Sequence, residues 1–212
     1  MSGWLTRFAE RHGDLTCDAA PQRVVVHASD GSAATLDVPF PPLAVDLDAP
    51  FGGLLAHLTC RRRVGVLLVR LGGAAVGIAE TGLADSGAST TRLVASKIER
   101  RHVQGRSAAG GWSQQRFARR REGQAKQAYA AAAEASVRLL LPAVATLDAL
   151  VLGGDRRAVD AVLADPRLRA LPSLVTGPLL DVVDPRQKVL EDALPRLDAV
   201  RLTVEEPVRP NG

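Results

Sequence analysis

Cysteine is almost missing from this 212-residue sequence: there are two, Cys17 and Cys60, far apart and with no CxxC pair. Neither a disulfide framework nor a four-cysteine zinc site can be built from them, and a reducing compartment suits the chain. Long apolar runs are missing too. No stretch of about 20 uncharged apolar residues could span a bilayer, and the start, Met1 to His12, has charges where a signal peptide needs its apolar core. The expected location is the cytoplasm, away from membranes. Several catalytic signatures are also absent. There is no first-strand GxGxxG and no GxSxG elbow, and Ser86, Ser89 and Ser107 have no His and acid close by in sequence. His12, His27, His57 and His102 lack metal-ligand spacing, and the short pair His57 and Cys60 has no second pair to complete a site. Asp181 and Asp184 precede an expected helix, where N-capping by Asp184 accounts for the acid without paired-carboxylate chemistry. No metal or cofactor is expected.

What is present can fold. Hydrophobic residues make up 46% and charged residues 24%, well away from disordered composition. A chain of this size buries about two-thirds of its unfolded surface. The net charge of +4 is unevenly spread. Between Lys97 and Lys126 lie nine basic residues and two acidic ones, Glu99 and Glu122, so the rest of the chain is slightly negative. That asymmetry points to an anionic partner docked on one segment. Arginine supplies 24 of the 27 basic residues, but the wealth of Ala, Val and Leu points to genome composition, so the preference carries no argument.

Residues 1–60 read as an N-terminal strand-bearing extension. It holds an amphipathic start (Trp4, Leu5, Phe8), a β-like run from Arg23 to His27 and a proline-rich stretch from Pro39 to Pro50. Runs 64–71 and 74–79 flank Gly72-Gly73, the spacing of a tight hairpin turn with positive φ. A third strand is predicted over 93–98, reaching toward Arg101 or His102. The glycine-rich stretch from Gln104 to Trp112 reads as a mobile loop. A long helix should run from Ser113 to about Leu141, stopped by Pro142. Beyond it the pattern gives a strand over 147–152, closed by Gly153-Gly154-Asp155, and a helix over 156–163. A short strand over 174–176, a helix over 185–194 and a strand over 200–204 follow. The fold class is α/β, a mixed sheet packed with helices, with domains at 1–60 and 61–206 and a tail at 207–212.

A glycine-rich connector between a strand and a helix N-terminus often cradles phosphate. Gly105 and Gly110 have the Walker spacing, yet Gly111-Trp112 stand where Lys and Ser/Thr must hold nucleotide and magnesium, so no NTP site follows. What remains is a small-residue tip before a cationic helix start. Ser113 is the expected N-cap, but Arg116 occupies the capping-box position that favours Glu or Gln. Positive charge there opposes the helix dipole by roughly 0.3–1 kcal/mol. Arg116 and Arg120, at i and i+4, repel by about a few tenths of a kcal/mol more, with Arg119 beside them. A polyanion relieves both costs; the bland alternative is a solvated charged face.

The segment Glu99-Arg100-Arg101-His102, then Gly110-Gly111-Trp112-Ser113-Gln114-Gln115-Arg116-Phe117-Ala118-Arg119-Arg120-Arg121, resembles the catalytic middle domain of eukaryotic and archaeal peptide-chain release factors. There a basic strand end leads to a Gly-Gly-Gln tip and an Arg-Phe-Ala-Arg helix. It is more similar still to the release-factor-like proteins of ribosome quality control and their actinobacterial relatives, which lack a plain Gly-Gly-Gln. By order of elements the resemblance covers residues 62–205, and its motifs are specific over 99–121. Aligned on Arg116-Phe117-Ala118-Arg119, Gly110 and Gly111 match the glycines, and Trp112 falls where release factors have glutamine.

The resemblance therefore implies Gln114 as the active residue, Gln115 in reserve, and Arg101, Arg106, Trp112, Ser113, Arg116, Arg119 and Arg120 as RNA contacts. It also implies a release-factor middle-domain-like fold and a peptidyl-tRNA hydrolase that frees nascent chains on stalled or split ribosomal complexes, a codon-reading domain having no room here. Peptidyl-tRNA and the large ribosomal subunit are the expected partners, and a monomer the expected state. Two alternatives stay open: a tRNA endonuclease cutting near the CCA end, and a non-catalytic RNA- or ribosome-binding module.

Overall fold

The computed structural model describes residues 1–83, 89–100 and 112–207, with the backbone alone for residue 89 and residues 112–118. In chain order the elements are α1 (Ser2–His12), β1 (Leu15–Ala20), β2 (Arg23–Ala28), β3 (Ala33–Asp37), α2 (Leu54–Thr59), β4 (Arg62–Arg70), β5 (Gly73–Leu83), β6 (Ser89–Arg100), α3 (Trp112–Leu139), β7 (Ala149–Gly154), α4 (Arg156–Leu163), α5 (Gln187–Ala193) and β8 (Leu202–Glu205). Contacts divide the chain into two units. The first joins Met1–Cys60 and Gly82–Ser89 with the residues from Leu197 on, and the second joins Arg61–Thr81 with Thr90–Arg196.

The first unit is an antiparallel sheet in the order β1-β2-β3-β8. Alternation decides its faces: Val24, Val26 and Ala28 of β2 and Ala34 and Leu36 of β3 are buried, while their neighbours in sequence are not. Leu5 and Phe8 of α1 and Leu54 of α2 pack on that buried face. The final strand, which sequence order attaches to the elements before it, instead pairs with β3 in the register Thr35↔Thr203.

In the second unit the sheet order is β6-β5-β4-β7. β4 and β5 form an antiparallel hairpin and β7 runs parallel to β4, a mixed sheet as the α/β reading requires. Both central strands are buried on both faces, which explains their unbroken apolar runs. Leu67, Val69, Val76, Ile78 and Leu150 share a core with the alanines of α3 and with Ala158, Val159 and Val162 of α4. Gly77 opens onto Leu190 of α5, 3.1 Å from where a Cβ would stand, so the two central strands have helical partners.

Some sequence expectations shift. The hairpin turn is Leu71-Gly72, one residue earlier than Gly72-Gly73: Arg70 pairs with Gly73, and only Gly72 takes a positive φ, 92°. α3 begins at Trp112, so Ser113 lies inside the helix and not at its N-cap. Asp184 does not cap α5, whose N-cap is Arg186; its carboxylate accepts a 2.6 Å hydrogen bond from Arg186 Nε. The strand expected over 174–176 reduces to one bridge, Leu150↔Val175, because the chain turns there in a short 3-10 helix. With a second bridge, Gly153↔Leu180, it runs along the outer edge of β7. α4 spans its predicted residues, held by Asp155 Oδ1 accepting from the Ala158 N–H at 3.1 Å. Gly154 before it has φ 100°, and a Cβ there would run into the Val69 carbonyl.

Candidate nucleic-acid interface

β6 and α3 bracket the segment that carries the motif. Gly110, Gly111, Arg101 and Arg106 lie outside the described residues. The end of β6 is well placed: the Glu99 carbonyl oxygen lies 3.7 Å from where a Cβ on Gly73 would stand. Gly73 pairs with Arg70 at the end of β4, and Val69 pairs in parallel with Gly154 at the end of β7. β6 thus finishes where the two parallel strands have their carboxyl ends, the side on which open α/β sheets present ligand-binding loops. β6 is an edge strand carrying Arg92, Lys97 and Arg100. Arg92 is paired with Glu80 at 2.7 Å and Lys97 with Glu99 at 3.7 Å, whereas exposed Arg100 has no ion pair among the described residues.

α3 has 28 residues and no acid in its first turn. At about 1.5 Å per residue it is roughly 42 Å long. Trp112, Ser113, Gln114, Gln115 and Arg116 form its start. Positions 119 and 120 stand three and four residues beyond 116, which sets both on the side of the helix that carries position 116. Position 114 is two residues from 116, about 200° around the axis. Positions 114 and 116 therefore fall on opposite sides of the helix start. Arg119 and Arg120 are exposed, and neither has an acidic partner among the described residues. From Arg119 to Gln127 nothing is buried, and a Cβ on Gly123 would meet nothing within 4 Å. Burial begins at Ala128 and continues through Ala132, Ala133, Ala135 and Ser136. The basic half of the helix stands clear of the core that holds the other half.

The packed half has its cations neutralised. Glu134 accepts from Arg138 at 2.8 Å and from Arg167 at 2.9 Å, and Arg167 also binds Asp165 at 2.8 Å. Arg138, then Arg167, hold the Glu134 carboxyl below its ordinary range; the Arg167 side chain, then its backbone N–H, pull Asp165 down to about 2. The i,i+4 spacing of Glu134 and Arg138 is readable in sequence, but Arg167 arrives from a distant segment and is not.

His102 lies outside the described residues, and the other three histidines have structural partners. His57 Nε2 bonds the Pro39 carbonyl at 2.9 Å, and His27 Nε2 lies 3.0 Å from Asp18 Oδ2. No group of three His, Cys, Asp or Glu side chains that could hold a metal occurs among the described residues. No helix among them is long and apolar enough to cross a membrane.

An archaeal translation termination factor, aRF1, aligns in structure with a TM-score of 0.39 and 16% identity, over 91% of this chain and 50% of that one. A second structure, described only as an archaeal protein, gives 0.38 and 16% over 79% and 48%. This chain spans about half the length of each. A search of the curated proteins returns no match. The family model of the Actinobacteria/chloroflexi VLRF1 release factor matches residues 62–203, which include β4 to β7 and α3 to α5. With that match running through most of its length, the chain belongs to the Actinobacteria/chloroflexi VLRF1 release factor family.

Proposed function

We propose that the protein hydrolyses peptidyl-tRNA on stalled or split ribosomal complexes in the cytoplasm, acting as a monomer against the large subunit. The observation that carries this reading is the basic half of α3, with Arg119 and Arg120 exposed and without an acidic partner among the described residues, following Gly110-Gly111 in the sequence of a release-factor family member. Arg101, Arg106, Arg116, Arg119 and Arg120, with Trp112 and Ser113, hold the tRNA backbone near its CCA end. Small loop residues let the tip enter a narrow centre.

The ester between peptide and ribose is already activated, so positioning and donors suffice. Gln114 orients a water through its amide. The water oxygen bonds the carbonyl carbon, backbone N–H groups near Gly111 face the developing oxyanion, and the ester C–O bond breaks. The proton passes to the ribose oxygen, leaving tRNA with an intact CCA end and a peptide with a free carboxylate.

The test is analysis of both peptide and tRNA ends after incubation with stalled ribosomal complexes. An intact CCA end and a free carboxylate are expected. A shortened tRNA, with nucleotides still on the peptide, would replace hydrolysis by strand cleavage. Gln114→Ala should slow release by about a hundredfold or more with binding kept, since a donor of this kind acts in the transition state. Gln115→Ala should cost less. Gly110→Val with Gly111→Val should abolish release while stability stays within about 1 kcal/mol. Full activity in Gln114→Ala would overturn the site.

A further inference from the structure

The first unit contains a cleft of about 330 Å³ that plays no part in the tip chemistry. α1 supplies Trp4, Arg7, Phe8, Arg11 and His12 to its wall, and Val204 and Glu206 close the other side. All seven residues lie outside the 62–203 family match. The volume is at the lower end of the range of about 300–1,000 Å³ usual for small-molecule sites.

Three rings spaced four residues apart line up along α1, the first pair stacked and the second tilted. Trp4 lies on Phe8 with centroids 5.0 Å apart and planes 13° from parallel, and Phe8 lies on His12 at 4.6 Å and 39°. Phe8 and His12 are buried, while Trp4, at the end of the ladder, is partly exposed and has no second ring on it among the described residues. His12 is held by Nδ1, 2.9 Å from Asp30 Oδ2 and 3.0 Å from Ser32 Oγ. Its Nε2 has no hydrogen-bond partner among the described residues, and a carboxylate on one ring nitrogen fixes the imidazole so that the other can meet a ligand.

The cations sit one turn apart beside the rings. Arg7 makes no ion pair among the described residues, and its Nη1 lies 3.6 Å from where a Cβ on Gly3 would stand, folded back toward the turn that carries Trp4. Arg11 faces Glu206 at 3.5 Å, but both side chains are well exposed, 74% and 60%. An exposed pair of that length contributes little and is easily exchanged.

We propose that this cleft binds one nucleotide, its base stacked on Trp4 where that ring lines the cleft and its phosphate held by Arg7 and Arg11. The base adds a fourth layer to a stack already ordered, and base–aromatic stacking tolerates any base. Guanidinium groups suit phosphate oxygens because they donate in pairs. Glu206, the one acid in the wall, gives up Arg11 to the phosphate. The occupant is either a free nucleotide or one unpaired nucleotide of an RNA strand, and both present the same chemistry.

The test uses the full chain with Trp112→Phe, which leaves Trp4 as the sole tryptophan reporter. Uridine monophosphate, uridine, inorganic phosphate and a five-residue oligouridylate are titrated against its fluorescence. Saturable quenching is expected from the monophosphate, with uridine and inorganic phosphate each about tenfold weaker or more. Equal affinity for monophosphate and oligouridylate assigns a free nucleotide. A tighter oligouridylate with a steeper salt dependence assigns a strand. Arg7→Glu with Arg11→Glu should weaken binding about tenfold or more, and if that variant does not fold, Arg7→Gln with Arg11→Gln replaces it. No saturable quenching by either nucleotide ligand, phosphate alone binding as tightly as the monophosphate, or unchanged affinity in the folded arginine variant would overturn the assignment. Because the reporter is Trp4 and no cleavage is measured, this result is separate from the fate of the tip proposal.

Discussion

From Ala128 onward α3 buries Ala128, Ala132, Ala133, Ala135 and Ser136, whereas between Arg119 and Gln127 the same helix buries nothing. Charge divides along the same line. Arg138 and Arg167 share Glu134, and Arg167 adds Asp165, while among the described residues Arg119 and Arg120 have no acidic partner and Lys126 pairs with Glu122 at 3.0 Å. Isolated helices are marginal, and most helical stability in proteins comes from a packed face. The buried half therefore nucleates and anchors the helix, and the free half propagates from it. A helix fixed at one end can carry repelling cations at the other, a useful arrangement for a cationic element that must reach away from its own domain. Substitutions should then separate into two classes, one read in stability and one in binding.

The largest effect should come from crowding the packed half. Ala132 is fully buried, so Ala132→Leu should cost about 1–3 kcal/mol in urea unfolding, leaving RNA affinity of the folded protein intact; an unchanged stability would mean that the anchor has room to spare. In the free half, Arg116→Ala, Arg119→Ala and Arg120→Ala together should lower the slope of log affinity against log salt by about two to three units, at roughly 0.7–0.9 per phosphate contact. Stability should move by less than about 0.5 kcal/mol, and an unaltered slope in the folded triple variant would remove the free half from the interface. Gly123→Ala sharpens the contrast: its Cβ enters open space, so the helix should gain about 0.5–1 kcal/mol, and a loss in urea unfolding would show that something covers this face. The smallest effect is one of shape. Asp165 titrates lower in the folded protein, so its contribution is present above its ordinary value of 3.8 and is lost as pH falls through about 2. Asp165→Asn should show a shallower fall in stability across that window, measured by denaturation at a series of pH values.

The β4–β5 hairpin is legible in sequence because two buried apolar runs meet at glycines, and α4 because strand, cap and amphipathic turn follow one another without a gap. The turn itself slips by one residue because a single positive φ suffices, and nothing local says which glycine supplies it. The motif from Gly110 to Arg121 is legible as residue types in a row. The choice between Gln114 and Gln115 is not, since consecutive helical positions differ only in the direction they face, about 100° apart. The clamp on Glu134 and the partnership of β3 with β8 join segments that carry no mark of each other, and alternation alone cannot name a strand's neighbour. The spacing of Trp4, Phe8 and His12 is visible too, but reading it as amphipathy alone hides the ring ladder.

The pairing of β8 with β3 also fixes an order of events during the protein's own synthesis. Strands β1 to β3 are complete by Asp37, yet their sheet gains its fourth strand only when Leu202–Glu205 has been made. Throughout synthesis of the intervening residues, the outer edge of β3 presents unpaired N–H and C=O groups, the feature that most readily recruits a foreign strand. A chain cut short between Asp37 and Leu202 keeps that edge for good, so such a prematurely terminated copy of the protein is sticky at one known place.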